Sequence, residues 1–371
     1  MRVLVGGWIG STNLGDELVF AGLCRLLAAR GAEVAAISRD PAATRRLHGV
    51  GAVADTDLAG VWRAIGSADA MVFGGGGLLQ DTTSPFNLPY HLSRPLLARM
   101  RGLPVAGIGL GAGALDTRLG RALVRGGLTS MVGVTVRDEP SRALLDALGV
   151  RGVRLASDLA FALGPSAATP LLQASPTAGA GTLAVCLRPW SGRRGRLPAQ
   201  ARGDATPDAH VEVLATGLDA IASVTGLQVR FVALQRDRDE PFHERVAGRM
   251  RTPSTRLAPA LGEVLAELSG ASAVVSMRFH GGVAAVLAGR PVVLIDYADK
   301  VAALAAELGE AGALLAWSPA SLAGLPAALD RVVASPAGVV AARQRLLART
   351  AVHDEVLDLL LGPVRDVSAA G

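Results

Sequence analysis

Short apolar runs, each closed by glycine or a polar residue and followed by a stretch of helical spacing, recur along the chain and constrain its fold more than any other feature. Val3 to Gly7, Glu33 to Ile37, Ala68 to Phe73, Pro104 to Gly109, Val132 to Val136 and Val153 to Ala156 form one series. Thr182 to Leu187, Leu227 to Ala233, Ala273 to Ser276 and Pro291 to Ile295 form a second. Runs this short and this uniformly apolar suit parallel strands buried on both faces. Alternation with helices then gives an α/β fold of two doubly wound, Rossmann-like domains facing a cleft. Gly164 to Gly181 is rich in Pro, Ala, Ser, Thr and Gly and carries no charge, as a linker would. The expected division is an N-terminal domain over 1–165, a linker over 166–181, a C-terminal domain over 182–335, and a terminal helix over 336–371 returning to the domain junction. That helix is expected to run from Pro336 to about Leu361.

Ligands bind such folds at the carboxyl ends of the strands, so the residues there decide the chemistry. Ser276 to Gly282 joins a buried strand to a buried helix, and Arg278 and His280 stand two apart within it. In extended chain both side chains project to one side, beside a helix N-terminus that favours anions. A guanidinium and a titratable imidazole together predict an anionic-substrate site able to move a proton. Gly74 to Gly77 follow another strand, and four successive glycines make sense where backbone must approach a ligand or a neighbouring strand closely. Gly10 to Glu17 is a polar turn opening a helix; Asn13 and Asp16 have the spacing of a helix cap, or shape a ligand crevice. Gly109 to Ala114 fits the dinucleotide pattern G-x-G-x-x-A, but its acidic partner would have to be Asp138, which equally caps the helix from Glu139 to Leu148.

Composition narrows the class. The chain has 371 residues and a formal net charge of +5, and half its residues are hydrophobic, enough for two real cores. Its basic side chains are arginines apart from Lys300, and they are scattered with few aromatics between them, which argues against nucleic acid as a partner. Cys24 and Cys186 lie in apolar runs and read as buried free thiols of a reducing compartment. No Cys/His cluster has metal-site spacing. The first residues read as a strand rather than a signal peptide, and the uncharged stretches Leu159 to Leu187 and Ala311 to Leu329 are interrupted by proline. A cytoplasmic protein is expected, with a reversible association at an anionic membrane face left open.

Several segments, in order, resemble the polysaccharide pyruvyl transferase family: Gly10 to Glu17, Phe73 to Asp81, Val136 to Ser141 with Leu148 to Val150, Ser157 to Phe161, Arg188 to Trp190, Met277 to Gly281 and Tyr297 to Val301. The resemblance implies a fold similar to two-domain glycosyltransferases of the B type. It also implies transfer of the enolpyruvyl group of phosphoenolpyruvate to a sugar, forming a cyclic ketal and releasing phosphate. In the cell-wall branch the acceptor is an N-acetylmannosamine-containing, lipid-linked saccharide. No cofactor is expected beyond phosphoenolpyruvate as donor substrate. Arginine forks match its phosphate and carboxylate, so Arg188 and Arg278 are the expected clamps, with Gly281 and Lys300 also on the donor. His280 is the expected general acid for the methylene carbon, since the bound anion favours the imidazolium the role needs. Asn13, Asp16, Gly75, Gly76, Asp81, Tyr90 and Arg137 are assigned to the acceptor, with Asp16 or Asp81 as base. Tyr297 could stack on a sugar. Lys300 could instead pair with Asp296 or Asp299, and His48, His210, His243 and His353 read as surface residues. A nucleotide-sugar glycosyltransferase, a nicotinamide-dependent oxidoreductase and a non-catalytic saccharide-binding protein are the competing readings. The oligomeric state is not readable from the sequence.

Overall fold

A computed structural model describes residues 1–82, 84, 86–164, 181–190 and 206–362. Nearly all of the linker expected over 166–181, and the arginine-rich stretch from Ser191 to Gly203, lie outside them. By its contacts the chain forms two compact units. One comprises Met1–Ser11, Asp16–Leu163 and Leu347–Gly371; the other comprises Thr12–Gly15 and Gly164–Leu346.

Among the described residues, the first unit carries one parallel sheet. Its strands are β1 (Arg2–Gly6), β2 (Glu33–Ser38), β3 (Gly51–Ala54), β4 (Ala70–Leu79), β5 (Val105–Ala112), β6 (Val134–Val136) and β7 (Val153–Leu155), ordered β3-β2-β1-β4-β5-β6-β7. The second unit carries β8 (Thr182–Cys186), β9 (Gln228–Val232), β10 (Ser254–Leu257), β11 (Ala273–Ser276), β12 (Val292–Asp296) and β13 (Gly312–Ala316), ordered β10-β9-β8-β11-β12-β13 and again parallel. Helices fill the crossovers. In each sheet the direction of winding reverses once, between β1 and β4 and between β8 and β11, and such switch points open a crevice at the carboxyl edge.

Burial on both faces follows from the pleat. Val3 and Val5 of β1, with Ala70 and Val72 of β4, pack into one cluster, while Leu4, Met71 and Phe73 face the other. The alternation explains why these runs look uniformly apolar. β3, β10 and β13 were not apparent in the sequence; each is an edge strand with partly exposed residues, made of small residues in β3, polar ones in β10, and part of a longer apolar stretch in β13.

Two expectations about the glycines change. The strand does not end at Phe73; β4 continues to Leu79, pairing Gly74 with Ile108, Gly76 with Leu110 and Leu79 with Ala112, with a shift of register between Gly76 and Leu79. Gly75 and Gly76 have φ of +82° and +92°, values that side-chain-bearing residues rarely adopt. At Gly74 a methyl group would run into the Ile108 carbonyl. Gly74→Ala is therefore expected to cost about 1–3 kcal/mol of stability, as overpacking does, measured by denaturant unfolding. Gly109 and Gly111 likewise lie inside β5, and the next helix begins at Arg118. The dinucleotide pattern needs its glycines in the turn that opens a helix, so this stretch is not that fingerprint.

The terminal segment forms two helices, Pro336–Ala348 and Ala351–Leu361, rather than one. The second packs Val356 and Leu357 among Val3, Val5 and Ile108. Arg30, itself buried, holds it through Asp354 at 2.9 Å and Asp358 at 2.6 Å. His353 is wholly buried, with Nδ1 2.8 Å from the Thr135 hydroxyl and Nε2 2.9 Å from the Ser157 carbonyl. Burial pulls its imidazole down to about 4.

Candidate active site

Four strand ends of the second sheet carry the polar residues. Arg188 follows β8, Gln235 follows β9, Arg278 and His280 follow β11, and Tyr297 and Lys300 follow β12. The helix Phe279–Leu287 begins straight after Arg278, which is its N-cap. Gly281 makes that close start workable. Its Cβ would collide with the Ser276 hydroxyl, and Cys186 lies just beyond. The Gly281 amide already donates to the Arg278 carbonyl at 3.0 Å. Gly281, expected on the donor, thus also serves packing, with its amide engaged by Arg278.

Arg278 is 6% exposed and is held by Asp239, which the sequence reading did not single out. Its Nε donates to both Asp239 oxygens at 3.1 Å, Nη2 donates to Asp239 as well, and Nη2 also reaches Gln235 Oε1 at 3.2 Å. Asp239 is wholly buried and accepts from the amides of Leu234 at 3.1 Å and Gln235 at 2.9 Å. The Nε–Nη2 fork of Arg278 is therefore taken by Asp239. Nη1 makes no hydrogen bond among the described residues and is the edge left to face an anion.

Arg188 donates from Nη1 to the Tyr297 hydroxyl at 3.1 Å and lies over the Tyr297 ring at 4.6 Å. Its buried Nε has no hydrogen-bond partner among the described residues. Trp190 meets Tyr297 edge-on at 5.4 Å, and Lys300 Nζ lies 5.8 Å from the rings of both Tyr297 and Phe279. Lys300 forms no ion pair among the described residues, while Asp296 accepts from the Ala298 amide at 3.1 Å. Burial alone would raise the Tyr297 phenol, but Lys300, Arg188 and Arg278 together bring it down to about 7. The cationic ends of Arg188 and Lys300 thus both face this ring, and Arg278 adds to the positive field around it. The signal in the sequence was slight: Tyr297 read as a stacking ring.

His280 is buried, edge-on to Phe279 at 5.1 Å. A Cβ at Gly15 would fall on its ring. Thr12–Gly15 clusters with the second unit, and there Leu14 donates its amide to Leu234 at 2.8 Å. Asn13 Oδ1 accepts from the Gly15 amide at 3.2 Å, the cap its position predicts.

The residues expected on the acceptor are spread along the carboxyl edge of the first sheet, with varied partners. Asp81 is buried, accepting from the Asp116 amide at 2.8 Å, the Thr117 amide at 3.0 Å and the Thr117 hydroxyl at 2.6 Å. Burial alone would raise its carboxyl, but these bonds hold it below the usual range, which suits a loop anchor better than a base. Tyr90 donates its hydroxyl to Asp55, and Arg94 lies over its ring at 4.1 Å. Burial, with Asp55 beside it, pushes this phenol up to about 12. Trp8, 6.5 Å from Tyr90 and capped by Arg39 at 4.4 Å, completes an aromatic group the sequence did not reveal. Arg137 is buried, with Nη1 3.3 Å from Asp158 and Nε 3.4 Å from Asp138, and lies over Gly77 and Gly111. Asp138 caps the next helix through the Ser141 amide at 2.9 Å. Gly75 and Gly76 lie in β4, and Asp16 is partly buried.

The other histidines are not the surface residues they were read as. His243 is wholly buried against the Leu187 carbonyl, His48 lies 2.8 Å from the buried Glu17, and His210 stacks on Trp317 at 4.5 Å. Free Cys24, partly buried, and Cys186, wholly buried, have thiols pushed up to about 12 by burial. Among the described residues, no three His, Cys, Asp or Glu side chains are gathered as metal ligands would be. Nor is any single helix among them long and apolar enough to cross a membrane.

Two doubly wound parallel sheets with the polar residues at their carboxyl edges define a protein of the glycosyltransferase-B fold class. Solved structures of that class agree in fold. An S. aureus MnaA structure with UDP is similar with a TM-score of 0.63 at 9% identity over 98% of each chain. The Anabaena Alr3699/HepE structure with UDP-glucose reaches 0.61 at 14% identity, over 96% of this chain and 99% of that one. The spinosyn rhamnosyltransferase SpnG reaches 0.52 at 16% identity, over 97% and 99%. No match was found among curated proteins. The profile of the polysaccharide pyruvyl transferase family matches residues 13–299, most of the chain, and the chain belongs to that family of enzymes.

Proposed function

We propose that this enzyme moves the enolpyruvyl group of phosphoenolpyruvate onto a sugar, closing a pyruvate ketal across two hydroxyls and releasing phosphate. The observation that carries the reading is the gathering of Arg188 and Lys300 about Tyr297, with Arg278 at the neighbouring strand end, along the carboxyl edge of the second sheet. The donor brings a phosphate and a carboxylate, which match the buried Arg278, the partly buried Arg188 and the exposed Lys300 in charge. Arg278, oriented by Asp239, meets it through Nη1; Arg188 and Lys300 supply the remaining charge. His280 gives a proton to the methylene carbon, and one sugar hydroxyl attacks the carbon bearing the phosphate ester. Loss of phosphate then allows the second hydroxyl to close the ring.

The acceptor in this reading is an N-acetylmannosamine-containing, lipid-linked saccharide, met by Asn13, Asp16, Gly75, Gly76, Tyr90 and Arg137. The work would be done in the cytoplasm, at the inner membrane face if the acceptor carries a lipid. The UDP and UDP-glucose of the structural neighbours favour one other reading, a nucleotide-sugar transferase. Incubation with phosphoenolpyruvate and such an acceptor is expected to release inorganic phosphate in step with a pyruvylated, acid-labile product. Release of nucleoside diphosphate from a nucleotide sugar, with phosphoenolpyruvate untouched, would sink the proposal.

A further inference from the structure

Tyr297 has no task in the reaction as written, yet its surroundings are the least ordinary in the molecule. It is 6% exposed, and its hydroxyl oxygen accepts a hydrogen bond from Arg188 Nη1 at 3.1 Å. Cations approach from three elements: Arg188 from the end of β8, Arg278 from the start of the helix Phe279–Leu287, and Lys300 from the first turn of the helix Asp299–Leu308. Asp239 pairs with Arg278, and Asp296, which accepts from the Ala298 amide, forms no ion pair with Arg188 or Lys300. With Arg278 neutralised by Asp239, the two cations left without an ion pair among the described residues are Arg188 and Lys300, and the Tyr297 oxygen, which accepts from Arg188 and donates to no group there, is placed to be their anion.

We infer that Tyr297 is the exchangeable counter-ion of this cation cluster: its oxygen carries the negative charge until a phosphate-bearing ligand takes its place, and it then picks up one proton from solvent. The balance is simple. The free protein holds a phenolate against Arg188 and Lys300, beside the Arg278–Asp239 pair. The bound protein holds the ligand's anion against the same cations and a neutral phenol that can donate to it. When phosphate departs, the proton is given back to solvent. This deepens the donor reading above and rests on it for the identity of the ligand, though not for the exchange itself.

The sign of the pH dependence follows from linkage. The free phenol ionises near 7, and an added anion beside it raises that value, so the ligand binds the protonated protein better. The contribution of this phenol to affinity is level below about 7 and falls up to tenfold per pH unit above it, until the bound phenol itself ionises. A phosphate ester's own second ionisation, near 6, is already complete in that window.

The chain has two tyrosines, and Tyr90 is pushed up to about 12, so the ultraviolet band of a phenolate at moderate pH reports Tyr297 alone. Titrating the intact protein should show one phenolate appearing around 7, absent in Tyr297→Phe, and saturating phosphoenolpyruvate should abolish the band at pH 8 with uptake of one proton. Calorimetry with phosphoenolpyruvate, and with sulfate as a dianion that neither reacts nor titrates, should give the up to tenfold fall per pH unit above about 7 in the natural chain and lose that component in Tyr297→Phe. A natural chain with no phenolate band below about 9, where an ordinary tyrosine begins to ionise, would overturn the inference even if Tyr297→Phe fails to fold. So would an unchanged slope in that variant. If sulfate shows the coupling but phosphoenolpyruvate neither binds nor turns over, the exchange stands and the donor reading fails.

Discussion

An Arg278→Ala chain is expected to lose measurable phosphate release from phosphoenolpyruvate and about 3–5 kcal/mol of stability together, because the change strands a buried carboxylate. Asp239 is wholly buried, and the two amides it would keep cannot replace the guanidinium. Adding Asp239→Asn to the same chain separates the two losses. The carboxamide oxygen still accepts from Leu234 and Gln235 but carries no charge, so most of the stability should return while turnover does not. Denaturant unfolding beside a phosphate-release assay makes the comparison. Recovery of turnover in the double variant would show that Arg278 serves the fold rather than the donor.

His280→Gln should lower turnover about 10²- to 10⁴-fold, the usual worth of a positioned proton donor, while donor affinity changes only a few-fold. Glutamine fills similar space against Phe279 and Gly15 but cannot supply the proton. The split between kcat and donor affinity is the telling quantity, since a residue that merely packed there would disturb both or neither. Rates within a few-fold of the natural chain would remove His280 from the chemistry.

What the sequence disclosed and what it hid have a common physical cause. Strands buried on both faces, such as β1, β8, β11 and β12, stand out because every residue must be apolar. The edge strands β3, β10 and β13 need be apolar on one side at most, and the glycine-rich ends of β4 and β5 look like turns because strand pairing leaves no trace in composition. At the site, Arg278 and His280 could be placed because they are close in sequence and follow a strand. Asp239 could not, because it sits in the charged run Arg236 to Glu240, where nothing marks one carboxylate as the buried member. His353 was misread for the mirror-image reason: a polar ring in a terminal helix looks solvated until Thr135 and Ser157 are seen to satisfy both its nitrogens. The lowered phenol of Tyr297 is a sum over charges from three separate elements, which no local pattern can express.

The way the last helix completes the first unit bears on how the protein is made. Val356 and Leu357 leave the ribosome long after Val3 and Val5, yet they belong in the same cluster. The earlier-made part must therefore wait, with an apolar seam uncovered, while the whole of the second sheet is synthesised. A stop codon that spares every strand but removes this tail would leave that seam open for good, inviting aggregation or degradation in a chain that still holds all the groups assigned to the donor.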